Sequence, residues 1–159
     1  MLVPQTSDWG SNPHASTMKR TIVEFDMKAL RRKSLPLKEI DDGVRTLIDD
    51  MFETVEGIGV GLSAIQVGEP VQVIVVNIEN QKLALINPHL RAQSINRNKQ
   101  EEGCLSLPGI TKPVKRSLEV IVDYRSVDGL WEQIHATGLM ARVLLHELDH
   151  LKGKLIVDY

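Results

Sequence analysis

Across residues 37–55 the apolar side chains Ile40, Val44, Leu47, Ile48, Met51, Phe52 and Val55 recur every three or four positions. That is the spacing of one helix face, and it predicts an amphipathic helix of about five turns. A second helical pattern covers residues 136–151, which no proline interrupts. Leu139, Val143, His146 and His150 share one face of it, and Gly153 lies just past a plausible end. Residues 71–78 are nearly continuous and β-branched, as in a buried strand, and residues 82–87 read as its hairpin partner, ended by Pro88. Two further strands fit 118–124 and 130–136, turning at Asp128-Gly129, and 154–159 fits a short last strand. The glycine-rich segment 56–66 reads as a turn, or as a strand edge whose backbone a ligand approaches closely at Gly59 and Gly61. These elements predict an α+β domain in which antiparallel strands surround one central helix.

Composition narrows the picture. A chain of 159 residues, 42% hydrophobic and 25% charged, suits one globular domain with a real core. Residues 1–17 carry Pro4, Gly10 and Pro13 but no periodicity, so they read as a tag-like or processing leader. The domain then occupies 18–159, and Trp9 and His14 in the leader are expected to carry no function. A net charge of −2 argues against a nucleic-acid or anionic-membrane surface as main partner, and the basic cluster at 97–99 reads as a solvated loop. No run of about 18 apolar residues is present to span a bilayer. One cysteine excludes an internal disulfide and suits a reducing compartment, leaving Cys104 available as a thiolate ligand or nucleophile.

The chemistry concentrates in His146-Glu147-Leu148-Asp149-His150. On a helix the two imidazoles stand one turn apart on the same side, where both can reach one metal ion, and Glu147 is left free to act as a base. A catalytic site of this kind uses three protein ligands and keeps one position open for water. The third ligand is not downstream, because position 156, where one HExxH pattern carries a histidine, is Ile156. His89, His135 and Cys104 are the candidates. Ligand chemistry and the open loop context of Gly103-Cys104-Leu105 favour Cys104.

Three segments taken together resemble one family. Gly59-Val60-Gly61-Leu62-Ser63-Ala64-Ile65-Gln66, Glu102-Gly103-Cys104-Leu105-Ser106 and His146-Glu147-Leu148-Asp149-His150 are similar, in sequence and in order, to the signature motifs of the peptide deformylases. The resemblance implies Cys104, His146 and His150 as metal ligands and Glu147 as the acid and base. It implies Gln66 and the Leu105 N–H as the groups that hold the oxyanion, and Arg116 as a partner of Glu102. The implied reaction is hydrolysis of N-formylmethionyl peptides, nascent chains from the ribosome, to formate and a free amino terminus. The implied cofactor is one divalent ion, iron(II) in the cell, with zinc, nickel or cobalt as substitutes. The implied setting is the bacterial cytoplasm, or an organelle.

The chain departs from the family pattern at three places. Ser63 stands where alanine is usual, Leu145 where glutamine is common, and the sequence stops at Tyr159, where bacterial members continue into a helix that helps them dock on the ribosome. Ser63 is expected to be tolerated in a backbone-lined cleft, and ribosome docking by a C-terminal helix is not expected. Helical geometry puts Leu139 and Val143 on the ligand face. With Val60, and with the backbone at Gly61 and Gly103, they are expected to border an apolar substrate pocket. Two other readings are a closed structural metal site, which needs a fourth protein ligand, and an HExxH peptidase, which needs a downstream one.

Overall fold

A computed structural model of the chain describes residues 17–159; the leader expectation for 1–17 otherwise lies outside the described residues. The order of elements is α1 (Met27–Leu30), α2 (Asp42–Val55), β1 (Gly61–Ser63), β2 (Val73–Ile78), β3 (Gln81–Gln93), β4 (Arg97–Gly103), β5 (Thr111–Ser117), β6 (Glu119–Arg125), β7 (Trp131–Thr137) and α3 (Gly138–Leu151). Two 3₁₀ turns, Ala64–Val67 and Ile156–Asp158, complete it. The strands form an antiparallel five-stranded sheet ordered β1-β2-β3-β6-β7 and a two-stranded sheet, β4-β5.

Alternation along β2 explains the layers. Val73 and Val75 point to one face and pack with Leu47, Ile48, Met51 and Phe52 of α2. Ile74 and Val76 point to the other and pack with Val143, Leu144 and Leu148 of α3. Both faces of the strand are covered, which is why its sequence is apolar without a break. Arg142 of α3 in turn bonds the backbone of Val114 in β5 and Asn98 in β4, so the second sheet closes the far side of the helix. The helix bearing residues 146–150 is therefore the middle layer, as expected for the fold class.

Four boundaries differ from expectation. The first long helix begins at Asp42, because the Asp41 side chain accepts the Val44 N–H at 2.9 Å and caps it. Leu37 precedes it in extended chain, and its backbone is held by the Asn87 amide at 2.8 and 2.7 Å. Asn87 itself has φ +50° and sits in a bulge between Ile86 and His89. The bulge lets β3 continue through Pro88 to Gln93, since the residue without an N–H falls where the ladder is interrupted. Residues 97–99, expected as a solvated loop, are exposed but belong to β4, whose partner β5 had no apolar alternation to announce it. Residues 154–159 hold a 3₁₀ turn, Ile156–Asp158, instead of a strand: Asp158 accepts the Leu155 N–H at 2.8 Å and pairs with Arg31 at 2.8 Å.

Gly153 follows the end of α3 with φ +76°, and a Cβ there would run into the Arg31 carbonyl oxygen, which is backbone and cannot swing away. Gly153→Ala is expected to cost ~2 kcal/mol or more, combining a strained φ with a steric clash. Urea unfolding measures it, and an unchanged midpoint would show that the α1 to α3 contact is loose.

Candidate active site

The site lies where the edge strand β1, the end of β4 and the middle of α3 converge. Gly103 closes β4 and opens the backbone, so Cys104 turns toward α3, where its Sγ lies 3.5 Å from His150 Nε2. His150 Nε2 lies 3.2 Å from His146 Nε2. Cys104, His146 and His150 form the one group among the described residues able to hold a metal ion, with ligand atoms all within 4.8 Å of one another. The two alternative third ligands lie apart from it. His89 is exposed on β3, and His135 is exposed on β7 and pairs with Glu119 at 3.0 Å.

The donor set fits a divalent cation. His146 Nδ1 faces Glu102 Oε1 at 2.9 Å, so its N–H donates to the carboxylate and Nε2 is turned toward the centre. His150 is buried; burial first, then the nearby His146 and Arg116, push its imidazole down to about 3, so it is neutral. Burial also pushes the His146 imidazole down, but Cys104 and Glu102 outweigh it and raise the group to about 10. His146 thus holds a proton at the point where the three groups converge, and a divalent ion would displace it. One sulfur and two nitrogens with a side open to the cleft suit a transition metal and leave room for water.

Glu102 is the hub behind the ligands. Besides His146 it accepts Arg116 Nε at 3.0 Å and Nη2 at 2.9 Å, and Arg142 Nη1. Burial pushes its carboxyl up, yet the His146 and Arg116 hydrogen bonds prevail and hold it down at about 2. Arg116 continues to Asp149 Oδ2 at 2.6 Å, and Asp149 accepts the Tyr159 hydroxyl at 2.6 Å. The pairing of Arg116 with Glu102 matches expectation, whereas Arg142, Asp149 and Tyr159 were missed. The missed signal was charge on an otherwise apolar helix face: Arg142 lies four residues before His146, and Asp149 three after it.

Glu147 is buried beside Ser63, whose hydroxyl donates to its Oε2 at 2.8 Å. Burial pushes the Glu147 carboxyl up, against the His146 charge and the Ser63 hydrogen bond. Gln66 is buried in the 3₁₀ turn after β1. Its Oε1 accepts the Ser63 N–H at 2.9 Å, and its Nε2 donates to Ser106 Oγ at 3.2 Å, 3.7 Å from Cys104 Sγ. A cleft of about 550 Å³ opens in front, lined by Val60, Gly61, Gly103, Leu105, Leu139 and Val143 together with His146 and Glu147. Leu139 and Val60 are half-exposed at its mouth and Val143 is buried at its floor.

This fold, with two histidines and a cysteine converging beside a buried glutamate, defines a metal-dependent hydrolase. The sequence model for polypeptide deformylase matches residues 19–159. A peptide deformylase of Nitrosococcus oceani is 42% identical over 142 residues, 87% of this chain and 84% of that protein. One from Dictyoglomus thermophilum is also 42% identical, over 89% of this chain and 92% of its own. The crystal structure of peptide deformylase from Thermotoga maritima superposes with a TM-score of 0.85 at 36% identity, covering 90% of this chain and 97% of that one. The chain belongs to the peptide deformylase family. Its activity is the metal-dependent removal of the N-terminal formyl group from formylmethionyl peptides of newly made proteins, with release of formate. No helix among the described residues is long and apolar enough to cross a membrane.

A Cβ on Gly61 would stand 2.8 Å from both Glu147 Oε1 and Val143 Cγ1. Gly61→Ala therefore displaces the carboxylate, and a misplacement of about an ångström in an active site costs on the order of 10²-fold in rate. Turnover of formyl-Met-Ala-Ser should fall by that order while the circular dichroism spectrum stays unchanged. Full turnover would mean the glutamate is not confined by the strand.

Proposed function

We propose that Cys104, His146 and His150 hold the metal ion and that Glu147 is the acid and base of deformylation, with Gln66 and the Leu105 N–H as the oxyanion donors. The observation that carries this reading is the convergence of one sulfur and two imidazole nitrogens within 4.8 Å beside a buried carboxylate. When bound, the ion lowers the pKa of water to about 7 and polarises the formyl oxygen. Glu147 Oε1 takes the proton of the attacking water and passes it to the amine nitrogen as the C–N bond breaks, so that formate leaves and the peptide keeps a free amino terminus. Gln66 Nε2 and the Leu105 N–H meet the negative charge that gathers on the formyl oxygen, from positions fixed before the reaction starts. Glu102 keeps His146 in its ligating tautomer.

The ion in the cell is iron(II), with zinc, nickel or cobalt taking its place on purification, as a thiolate with two imidazoles accepts all four. Residues 18–159 are the catalytic domain, which the family match over 19–159 supports. The substrates are nascent chains emerging at the ribosome, met in the bacterial cytoplasm as the bacterial relatives suggest. The peptide backbone lies along Gly61 and Gly103, and the methionine side chain enters the apolar space between Val60, Leu139 and Val143.

Glu147→Ala should keep its metal and lose on the order of 10²-fold or more in kcat. Cys104→Ala should release the metal, because two ligands seldom hold a catalytic ion against buffer. Metal analysis of protein purified without oxygen, alongside turnover, reads both. A metal-free Glu147→Ala, or a fully loaded Cys104→Ala, would overturn the assignment.

Val143 is pressed against Gly61, so a larger side chain there must project into the cleft. Val143→Phe should raise KM for formyl-Met peptides by the equivalent of about 1 to 3 kcal/mol, leave the metal content unchanged, and harm a shorter formyl-norvaline substrate less. Equal effects on both substrates would place the pocket elsewhere.

A further inference from the structure

Ser63 is fully buried, and a hydroxyl out of water needs a partner. It has two acceptors, both on one residue: Glu147 Oε2 at 2.8 Å and the Glu147 carbonyl oxygen at 3.1 Å. The carbonyl alone would satisfy the hydroxyl, yet the carboxylate is the closer of the two. The strand register explains the aim. Ser63 pairs with Ile74 and Gly61 with Val76, so both stand on the face of the sheet that α3 covers, while Leu62 between them pairs with Val75 and packs toward α2.

The Glu147 carboxylate therefore lies across β1, with Oε2 on the Ser63 hydroxyl and Oε1 against Gly61, at the wall of the cleft. The same serine acts on a second group. Its backbone N–H donates to Gln66 Oε1 at 2.9 Å, which turns Nε2 of that amide toward Cys104 and Ser106. One residue thus orients a side chain on each side of the place where the formyl group must sit.

We propose that Ser63 is a positioning residue for deformylation: its hydroxyl holds Glu147 Oε2 so that Oε1 alone is presented to the substrate water. This rests on the reading of Glu147 as the acid and base. A hydrogen bond to a charged group that is lost from the reacting geometry corresponds to a fall in rate on the order of tenfold. The serine hydroxyl bonds Glu147 and no metal ligand, and the residue does not line the cleft, so substrate binding and metal content should not follow.

The test is a double-mutant cycle on the metal-loaded enzyme with formyl-Met-Ala-Ser as substrate. Ser63→Ala should lower kcat on the order of tenfold, with KM, metal content and Tm close to those of the parent. In a Glu147→Ala background the same substitution should cost nothing further, because the group it positions is gone. A kcat within twofold of the parent overturns the proposal. So does an equal loss in both backgrounds, or loss of metal or of folding in Ser63→Ala, since each makes the hydroxyl a packing group. If Glu147→Ala itself turns over normally, the acid and base reading fails and Ser63 falls with it. If Glu147→Ala is inactive and Ser63→Ala is normal, the role of Ser63 alone fails.

Discussion

The Glu102 carboxylate is the contact on which the rest of the site depends. It stands at the end of β4 and receives Arg116 from β5, and Arg142 and His146 from α3. A strand pair and a helix from later in the chain thus meet at one buried group. Taking such charges out of water costs several kcal/mol per ion, and the cost is recovered only when every lone pair and N–H finds a partner. Here the two guanidiniums are balanced by Glu102 and Asp149, and the outer end is closed by the Tyr159 hydroxyl. The result is stiff. Cys104, two residues beyond Glu102, and His146, bonded to it directly, are placed relative to one another by the same carboxylate.

The fold supplies what that hub cannot. α3 is covered by the five-stranded sheet on one side and by β4-β5 on the other, so its polar residues gather along the line where the two sheets part. That line runs between the free edge of β1 and the end of β4, where the cleft opens onto the helix. Glycine at position 61 keeps the edge low enough for Glu147 to lie against it. The Glu147 carboxylate is therefore bounded on one side by the main chain of β1 and held on the other by the Ser63 hydroxyl.

Periodicity made the frame legible because burial there is regular. β2 is covered on both faces and reads as unbroken apolar sequence, while α2 and α3 show clean helical spacing. The cluster around His146 and His150 was legible for a different reason, since two histidines one turn apart with a glutamate between them have few structural uses. What could not be read lies where polar groups replace hydrophobic contact. β4 and β5 are held by their ladder and by the arginine network, so no apolar alternation marks them. Pro88 argued for the end of a strand, and only the bulge at Asn87 lets the strand run on. Ser63 looked like a tolerated departure because one hydroxyl in a glycine-rich stretch carries no pattern. Its meaning comes from a glutamate 84 residues away.

The two histidines show how unequal support serves one centre. His146 has its outer nitrogen on Glu102, which sets its tautomer and adds negative charge behind the ring. His150 has no hydrogen-bond partner at its outer nitrogen, Nδ1, among the described residues, and its imidazole is held neutral chiefly by burial. A hydrogen-bonded carboxylate behind one ring and a dry environment around the other thus turn both inner nitrogens toward the Cys104 sulfur. Polar groups brought this close together away from water lose the solvation each would otherwise have. The packing of α3 and the Glu102 network hold them together nonetheless, so the stability of the surrounding fold is what prepares the site to take a cation.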